Sequence, residues 1–313
     1  MGFFIVKRLL GGVVLLLAVS LVAFTMLYIG GGDIARRLLG ENATAEVVAQ
    51  KAAELGLDRP FILQYVDWLG GAVTGDLGRS WFTSQSVFVD VSNRLPVTLS
   101  IVIGAVLLAA IVSITLGVLA ALRGGWLDGL VQVISVIGFS IPNFLIALGL
   151  VVVFAINLGW FKATGYVPVG VSFSGWVASV TLPIIALSLA TIATVTQQVR
   201  GSVIDAMSRD YVRTLQTRGL GTGTVVFQHV LRNAGGPALA VLAVQFIGLL
   251  GGAIVIEQVF ALPGIGQLTV QATTLGDVPV VMGVVITTAI IVVIVNLAID
   301  LAQAALNPKV RLS

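Results

Sequence analysis

Six stretches of this chain are long and apolar enough to cross a lipid bilayer, and nothing else in it constrains the fold as strongly. They run over 9–30, 97–122, 129–157, 178–199, 237–257 and 279–303. A helix needs about 20 predominantly apolar residues to span the hydrocarbon core. With no water there, every backbone N–H and C=O must be satisfied within the segment, which a helix does by itself. Composition agrees: 58% of the residues are hydrophobic and 10% charged, where a soluble domain carries about 25% charged residues. So few charges cannot cover so much apolar surface in water. A soluble globular domain and a disordered chain are excluded. So is a nucleic-acid reader, because a net charge of +3 offers no basic patch. The expected fold is an all-α membrane protein of six transmembrane helices, and 36 glycines suit helices packed closely in lipid.

Two spans leave alternatives open. Pro142 beside Asn143 interrupts the third, which reads either as one kinked span or as a span followed by a re-entrant piece. The first follows Lys7-Arg8. Its apolar run exceeds the roughly 7–15 residues of a signal-peptide core, and no convincing small-residue cleavage site follows. It reads as a retained anchor, with a cleaved signal as the alternative.

Positive charge in short loops sets orientation. With the N-terminus inside, the short inner segments hold Lys7, Arg8, Arg123, Arg200, Arg209, Arg213, Arg218, Arg232, Lys309 and Arg311, whereas the short outer loops hold only Lys162. Both termini are therefore expected in the cytoplasm. The organisation follows: an N-terminal span over 1–30, an extracytoplasmic loop or cap over 31–96, and a five-helix core over 97–313 that carries a polar inner loop at 200–236.

In the outer segment, residues 44–55 have the pattern of a short amphipathic helix. Thr44 stands at the cap, Ala45, Val48, Ala52 and Leu55 share a face, and Gly56 ends it. Tyr65, Trp68, Trp81 and Phe82 follow, either as an aromatic belt at the membrane surface or as a docking cap for an outer partner.

The chemistry this chain can perform is narrow. There is no cysteine and one histidine, His229, so a protein-built transition-metal site is not expected. No phosphate-binding G-x-x-x-x-G-K-[ST] surrounds Lys7, Lys51, Lys162 or Lys309. No Ser-His-Asp or Cys-His set is in view either. No catalytic site and no cofactor are expected in this chain.

The inner loop is the most informative segment. Residues 202–218 have helical character, with Val203, Met207 and Tyr211 on one face. Gly219, Gly221 and Gly223 break the helix, and a second short helix is predicted from Thr224 to Asn233 with Thr224 as its cap. A basic, part-apolar helix–turn–helix would project from the membrane. That shape suits docking into a groove on a soluble partner, and a solvated basic loop is the alternative.

Here the residues resemble a known family. Arg213-Thr214-Leu215 and Gly219 stand where the coupling loop of ATP-binding-cassette importer permeases has Glu-Ala-Ala and its glycine. The Glu and both Ala are replaced, but the dipeptide/oligopeptide branch fits more closely. Asp210-Tyr211-Val212-Arg213-Thr214-Leu215, Arg218-Gly219-Leu220 and His229-Val230-Leu231-Arg232-Asn233-Ala234 are similar to that branch's loop, with Leu215 and Arg218 as departures. Further matches follow the branch's order along the chain: Leu55-Gly56-Leu57-Asp58-Arg59-Pro60, Gly75-Asp76-Leu77-Gly78, Arg94-Leu95-Pro96-Val97-Thr98-Leu99, Gly251-Gly252 with Glu257, Pro263-Gly264-Ile265-Gly266, and Asn307-Pro308-Lys309-Val310-Arg311.

The resemblance implies a type I importer permease in the cytoplasmic membrane of a bacterium. It implies a second homologous permease as partner, in a heterodimer. Two ATP-binding-cassette ATPases would bind ATP and Mg, and an extracytoplasmic substrate-binding protein would deliver peptide. ATPase coupling would fall to Asp210, Arg213, Thr214, Arg218, Gly219, Leu220 and His229, although Asp210 is equally suited to capping or to pairing with Arg213 at i,i+3. Asn143, Gln198, Gln245 and Glu257 are candidates for the translocation path or gate, with inter-helix hydrogen bonding as the alternative for the amides. Glu257 lies near the outer end of the fifth span, at a gate or as a snorkelling acid. Gly248 and Gly252 form a G-x-x-x-G suited to close packing. Within the family the cargo could instead be a nickel chelate or glutathione. An ion-coupled secondary transporter would place acids near the membrane midplane and show inverted repeats, and neither is seen here.

Overall fold

The computed structural model describes residues 2–30, 34–40 and 42–306. The terminal Asn307–Arg311 motif lies outside them. The described chain is helical nearly throughout: α1 Gly2–Gly30, α2 Ile34–Leu39, α3 Ala45–Glu54, α4 Phe61–Thr74, α5 Val87–Arg123, α6 Gly125–Ser140, α7 Asn143–Leu150, α8 Phe173–Met207, α9 Asp210–Thr217, α10 Thr222–Thr224, α11 Leu231–Val259, α12 Ile265–Leu275 and α13 Val278–Leu306. Wider π turns over Val151–Asn157 and Val225–Val230 continue α7 and join α10 to α11. Among the described residues, five helical stretches are long and apolar enough to span a membrane, and α6 with the helical stretch from Asn143 to Asn157 makes a sixth if the bent pair is one span.

That pair turns through 97° between Ser140 and Asn143. Ile141 is extended there (φ −90°, ψ 123°). Proline disfavours the helical region for the residue before it, so Pro142 ends α6 one residue early and α7 restarts at Asn143.

The chain divides into two compact units. Among the described residues, one comprises Val97–Pro263 with Val295–Leu306, and the other Gly2–Pro96 with Gly264–Ile294. In the first, α8 packs against α6, α7 and α11. Its buried face is built from small and β-branched residues, among them Ala186, Ser188, Thr191, Ala193 and Val195. Such residues let helix backbones approach closely. Gly104 and Gly117 do the same from α5. A Cβ on Gly104 would overlap Ile184, and one on Gly117 would stand 3.0 Å from the Thr196 carbonyl oxygen.

In the second unit, Phe24, Tyr65 and Met282 form a buried cluster with Trp68 packed against it. Tyr65 is 5.5 Å from Phe24 edge-on, and its hydroxyl lies 2.9 Å from that of Ser20. Tyr65 is therefore a buried packing residue, not part of a surface belt, and Trp68 is half-buried against the same cluster. A one-turn offset along α4 turns them toward α1, which hydropathy alone does not reveal. Val87 and Val91 pack with Ile265, Leu268, Val280 and Val284. A Cβ on Gly283 would overlap Val87 Cγ1. Gly283→Val should therefore overpack this contact at a cost of about 1–3 kcal/mol. A lowered midpoint of thermal unfolding in detergent is the expected result, and an unchanged midpoint would mean that α5 and α13 do not meet there.

The described part of the segment 31–96 is largely helical. α3 matches the amphipathic pattern read at 44–55, and Gly56 (φ +70°) ends it. Thr44 holds the cap position in an extended conformation, but its side chain makes no capping bond. The last ten residues, 87–96, already belong to α5. The preceding loop is anchored by a buried network. Ser80 Oγ donates to Asp277 Oδ2 (2.5 Å), the Trp81 amide donates to Oδ1 (3.2 Å), and Ser80 Oγ accepts from the amides of Phe82 and Thr83.

Candidate functional site

The helix–turn–helix at 200–236 differs in build from its sequence pattern. Residues 200–207 are the end of α8, and an extended Arg209 separates them from α9. The second helix is not a short unit capped by Thr224. It starts after Gly221, which takes the extended cap conformation, and runs without interruption from Thr222 to Val259. Gly235-Gly236-Pro237 does not stop it, because packed membrane helices tolerate Gly and Pro where neighbours satisfy the freed backbone groups.

One side of α9 is held rigidly. Val212 is buried in a cluster with Val203, Val225, Val226, Val230 and Leu242, and Tyr211 and Leu215 pack against it. Asn233 Nδ2 donates to the Tyr211 hydroxyl (3.1 Å), tying α9 to α11. The other side is open: Asp210, Arg213, Thr214, Arg218, Gly219 and Leu220 are exposed, and Phe227 is 72% exposed. The open face thus combines two guanidinium groups with apolar surface. His229 is half-buried, with its carbonyl accepting from Asn233 Nδ2. Asp210 begins α9, where its charge complements the positive helix end. The Thr214 hydroxyl returns to the Asp210 carbonyl (3.0 Å). Among the described residues no ion pair joins Asp210 to Arg213, so the i,i+3 pairing is not formed.

The turn after α9 is a Schellman motif. The Gly219 amide donates to the Gln216 carbonyl (2.9 Å) and the Leu220 amide to that of Leu215 (3.3 Å). Gly219 carries φ +85°, which glycine takes without a Cβ penalty. A Cβ there would meet nothing within 4 Å. The position is conformationally demanding and sterically open toward the outside.

The candidate path residues separate. Asn143 is the first residue of α7, and its Nδ2 lies 3.9 Å from where a Cβ on Gly252 would stand. Gln245 is half-buried two turns earlier on α11, on the same face. Gly252 is closely packed, with Leu187 Cδ1 3.2 Å from its Cβ position, whereas a Cβ on Gly248 would meet only Gln245 Oε1 of its own helix, at 4.0 Å. The small-residue pair thus makes close contact at one end only. Gln198 donates to Ser202 within α8 (3.1 Å). It lies eleven residues from Leu187, about 16 Å along the axis, so it does not join Asn143 and Gln245. Glu257 is fully buried, and the Thr98 hydroxyl donates to its Oε1 at 2.5 Å. It does not snorkel to the interface. Thr98 was not singled out by the sequence reading, although it stands in the motif Arg94–Leu99.

Long apolar helices around a closely packed α8, with an exposed basic turn following α9, define a multi-pass membrane subunit. The chain belongs to the family described as binding-protein-dependent transport system inner membrane component, whose model matches residues 113–312. A companion model for the N-terminal part of such membrane components matches residues 1–102. The chain is 37% identical over 308 residues to a peptide transport system permease protein of Brucella abortus (strain 2308), covering 98% of each. It is 35% identical over 309 residues to a glutathione transport system permease protein of Escherichia coli O6:H1, again covering 98% of each. Its fold resembles a chain of the MetNI methionine ABC transporter solved in inward-facing conformations. That match has a TM-score of 0.56 at 17% identity and covers 69% of this chain and 96% of the other.

Proposed function

We propose that this chain is the permease subunit of an ATP-driven importer that moves di- and oligopeptides across the cytoplasmic membrane of a bacterium by alternating access, with both termini in the cytoplasm. The observation that carries the reading is the α9–Gly219 element, rigidly packed on one side and presenting Arg213, Arg218, Leu220 and Phe227 on the other. In this reading the open face seats in a groove of an ATPase subunit. ATP and Mg are bound there and hydrolysis occurs there, not on this chain. Closure of the two ATPases displaces α9, and its buried anchor on α8 and α11 passes the displacement into the spans. A second homologous permease completes the path, and an extracytoplasmic binding protein delivers cargo. Peptide cargo is supported by the Brucella relative. Glutathione is the second reading, supported by the Escherichia relative at nearly equal identity.

A mild-detergent pull-down of the tagged chain from its native membrane tests the assembly. A second permease and ATPase subunits are expected in stoichiometric amounts. A chain recovered without any ATPase, under conditions that keep related importers intact, would refute the docking role. Calorimetry of the accompanying binding protein with dipeptides and with glutathione then separates the two cargoes.

A further inference from the structure

An ion pair sits near the end of α8 from which the docking helix departs. Arg200 on α8 donates through Nε to Asp128 Oδ1 and through Nη2 to Asp128 Oδ2 (2.5 Å). Gln132, one turn further along α6, donates to the same Oδ2 (3.1 Å). The side chains are only 23% and 17% exposed. A two-pronged guanidinium–carboxylate contact is directional as well as strong, and partial shielding keeps it from being screened as a surface pair is.

The pair's place matters more than its strength. Further along the same two helices, the contact uses small groups. A Cβ on Gly138 would lie 3.7 Å from that of Ala193 and 3.9 Å from the Leu189 carbonyl oxygen. Such small groups let the two helices approach closely but add no directional contact of their own. Arg200 stands two turns before the end of α8, which leads directly to α9 and the Gly219 turn. Asp128 stands in the first turn of α6, which leads to the 97° bend and then to Asn143 beside Gly252. We propose that Asp128 and Arg200 are positioning residues that lock α6 to α8, so that movement of the docking helix reaches the bend at Ile141–Pro142 and, through α7, the candidate path. The joint stays closed through the transport cycle. This inference rests on the proposed importer function.

The chain has no cysteine, so thiol chemistry can replace the pair. The experiment uses the assembled complex with its ATPases and binding protein in proteoliposomes. It measures labelled dipeptide-mixture uptake per ATP hydrolysed, normalised to assembled complex. The D128C/R200C variant is expected to hydrolyse ATP while its transport per ATP falls about tenfold, as expected from losing a charge-assisted contact. A short bis-methanethiosulfonate linker should restore the ratio, and reductant should abolish the rescue. D128N, which keeps the side-chain shape, should lower the ratio in the same direction. Ratios for both variants within about twofold of the starting protein would overturn the proposal. So would a cross-linked protein that stays uncoupled, or a loss confined to the amount of complex assembled. An unsubstituted complex that neither hydrolyses ATP nor takes up dipeptide would instead overturn the importer reading, which keeps the two failures distinguishable.

Discussion

Replacing Gly219 with Trp is expected to leave the chain in the membrane at its normal level and to lower uptake by about 100-fold or more. The argument has two parts. At φ +85° any L-residue carries a left-handed penalty of roughly 1–2 kcal/mol, which by itself amounts to about a tenfold effect. The remainder comes from space. Apart from the residues beside it in sequence, no described residue lies within 4 Å of a Cβ at this position, so an indole would not disturb the buried anchor of α9. It would instead occupy the volume beside Arg218 and Leu220 that a docked ATPase needs. Gly219→Ala pays the backbone penalty alone, and Gly219→Asn pays less because Asn tolerates the left-handed region. Uptake should therefore fall in the order Asn, Ala, Trp, with membrane insertion unchanged and ATPase co-purification lost only for Trp. Normal uptake by the Trp variant would remove the coupling role from this turn.

The second large effect is expected at Glu257. It is fully buried, and its carboxylate accepts from the Thr98 hydroxyl, among further interactions at both residues. A polar group left unsatisfied in an interior costs about 1–3 kcal/mol, and more when the lost partner carried charge. Glu257→Leu is therefore expected to lower the thermal midpoint of the complex in detergent and to cut uptake about tenfold or more. Thr98→Val, nearly isosteric, removes only the donor and should show a smaller loss in the same direction. Glu257→Gln keeps an oxygen to accept from Thr98 and should stay near the unsubstituted protein. If Gln behaves like Leu, the negative charge itself is required and the hydrogen-bonded tie is not the residue's main role.

The spans were readable from residue order because a bilayer acts on each stretch separately. Twenty apolar residues meet the same hydrocarbon whatever surrounds them. Helix ends were less readable, since hydropathy marks lipid thickness and not where backbone hydrogen bonding stops. α5 begins at Val87, ten residues before its apolar run, and α8 extends from Phe173 to Met207. The second inner helix was misjudged for a related reason. Gly235-Gly236-Pro237 carries breaker residues, yet the structure continues the helix through them to Val259.

Within the α9 element, the glycine at the turn and the basic residues around it were legible because turn chemistry is local. Gly219 follows a helical run and precedes two more glycines. Which face of α9 would be buried was only partly legible. Spacing puts Tyr211 on one face with Val203 and Met207, but the deeper anchor is Val212, buried in one cluster with Val225 and Val226 beyond the turn.

Residue order by itself determined that the chain crosses a membrane several times, that its third span breaks at Pro142, and that a tight basic turn lies between the fourth and fifth spans. Each of these depends on one segment and its solvent. Only the tertiary structure decided that Asp128 meets Arg200, that Thr98 meets Glu257 and that Ser80 meets Asp277. It also decided that Tyr65 and Trp68 face inward. Those pairings join residues 72 to 197 positions apart, and full or partial burial favours each because a polar group with little or no water must find its partner elsewhere in the chain.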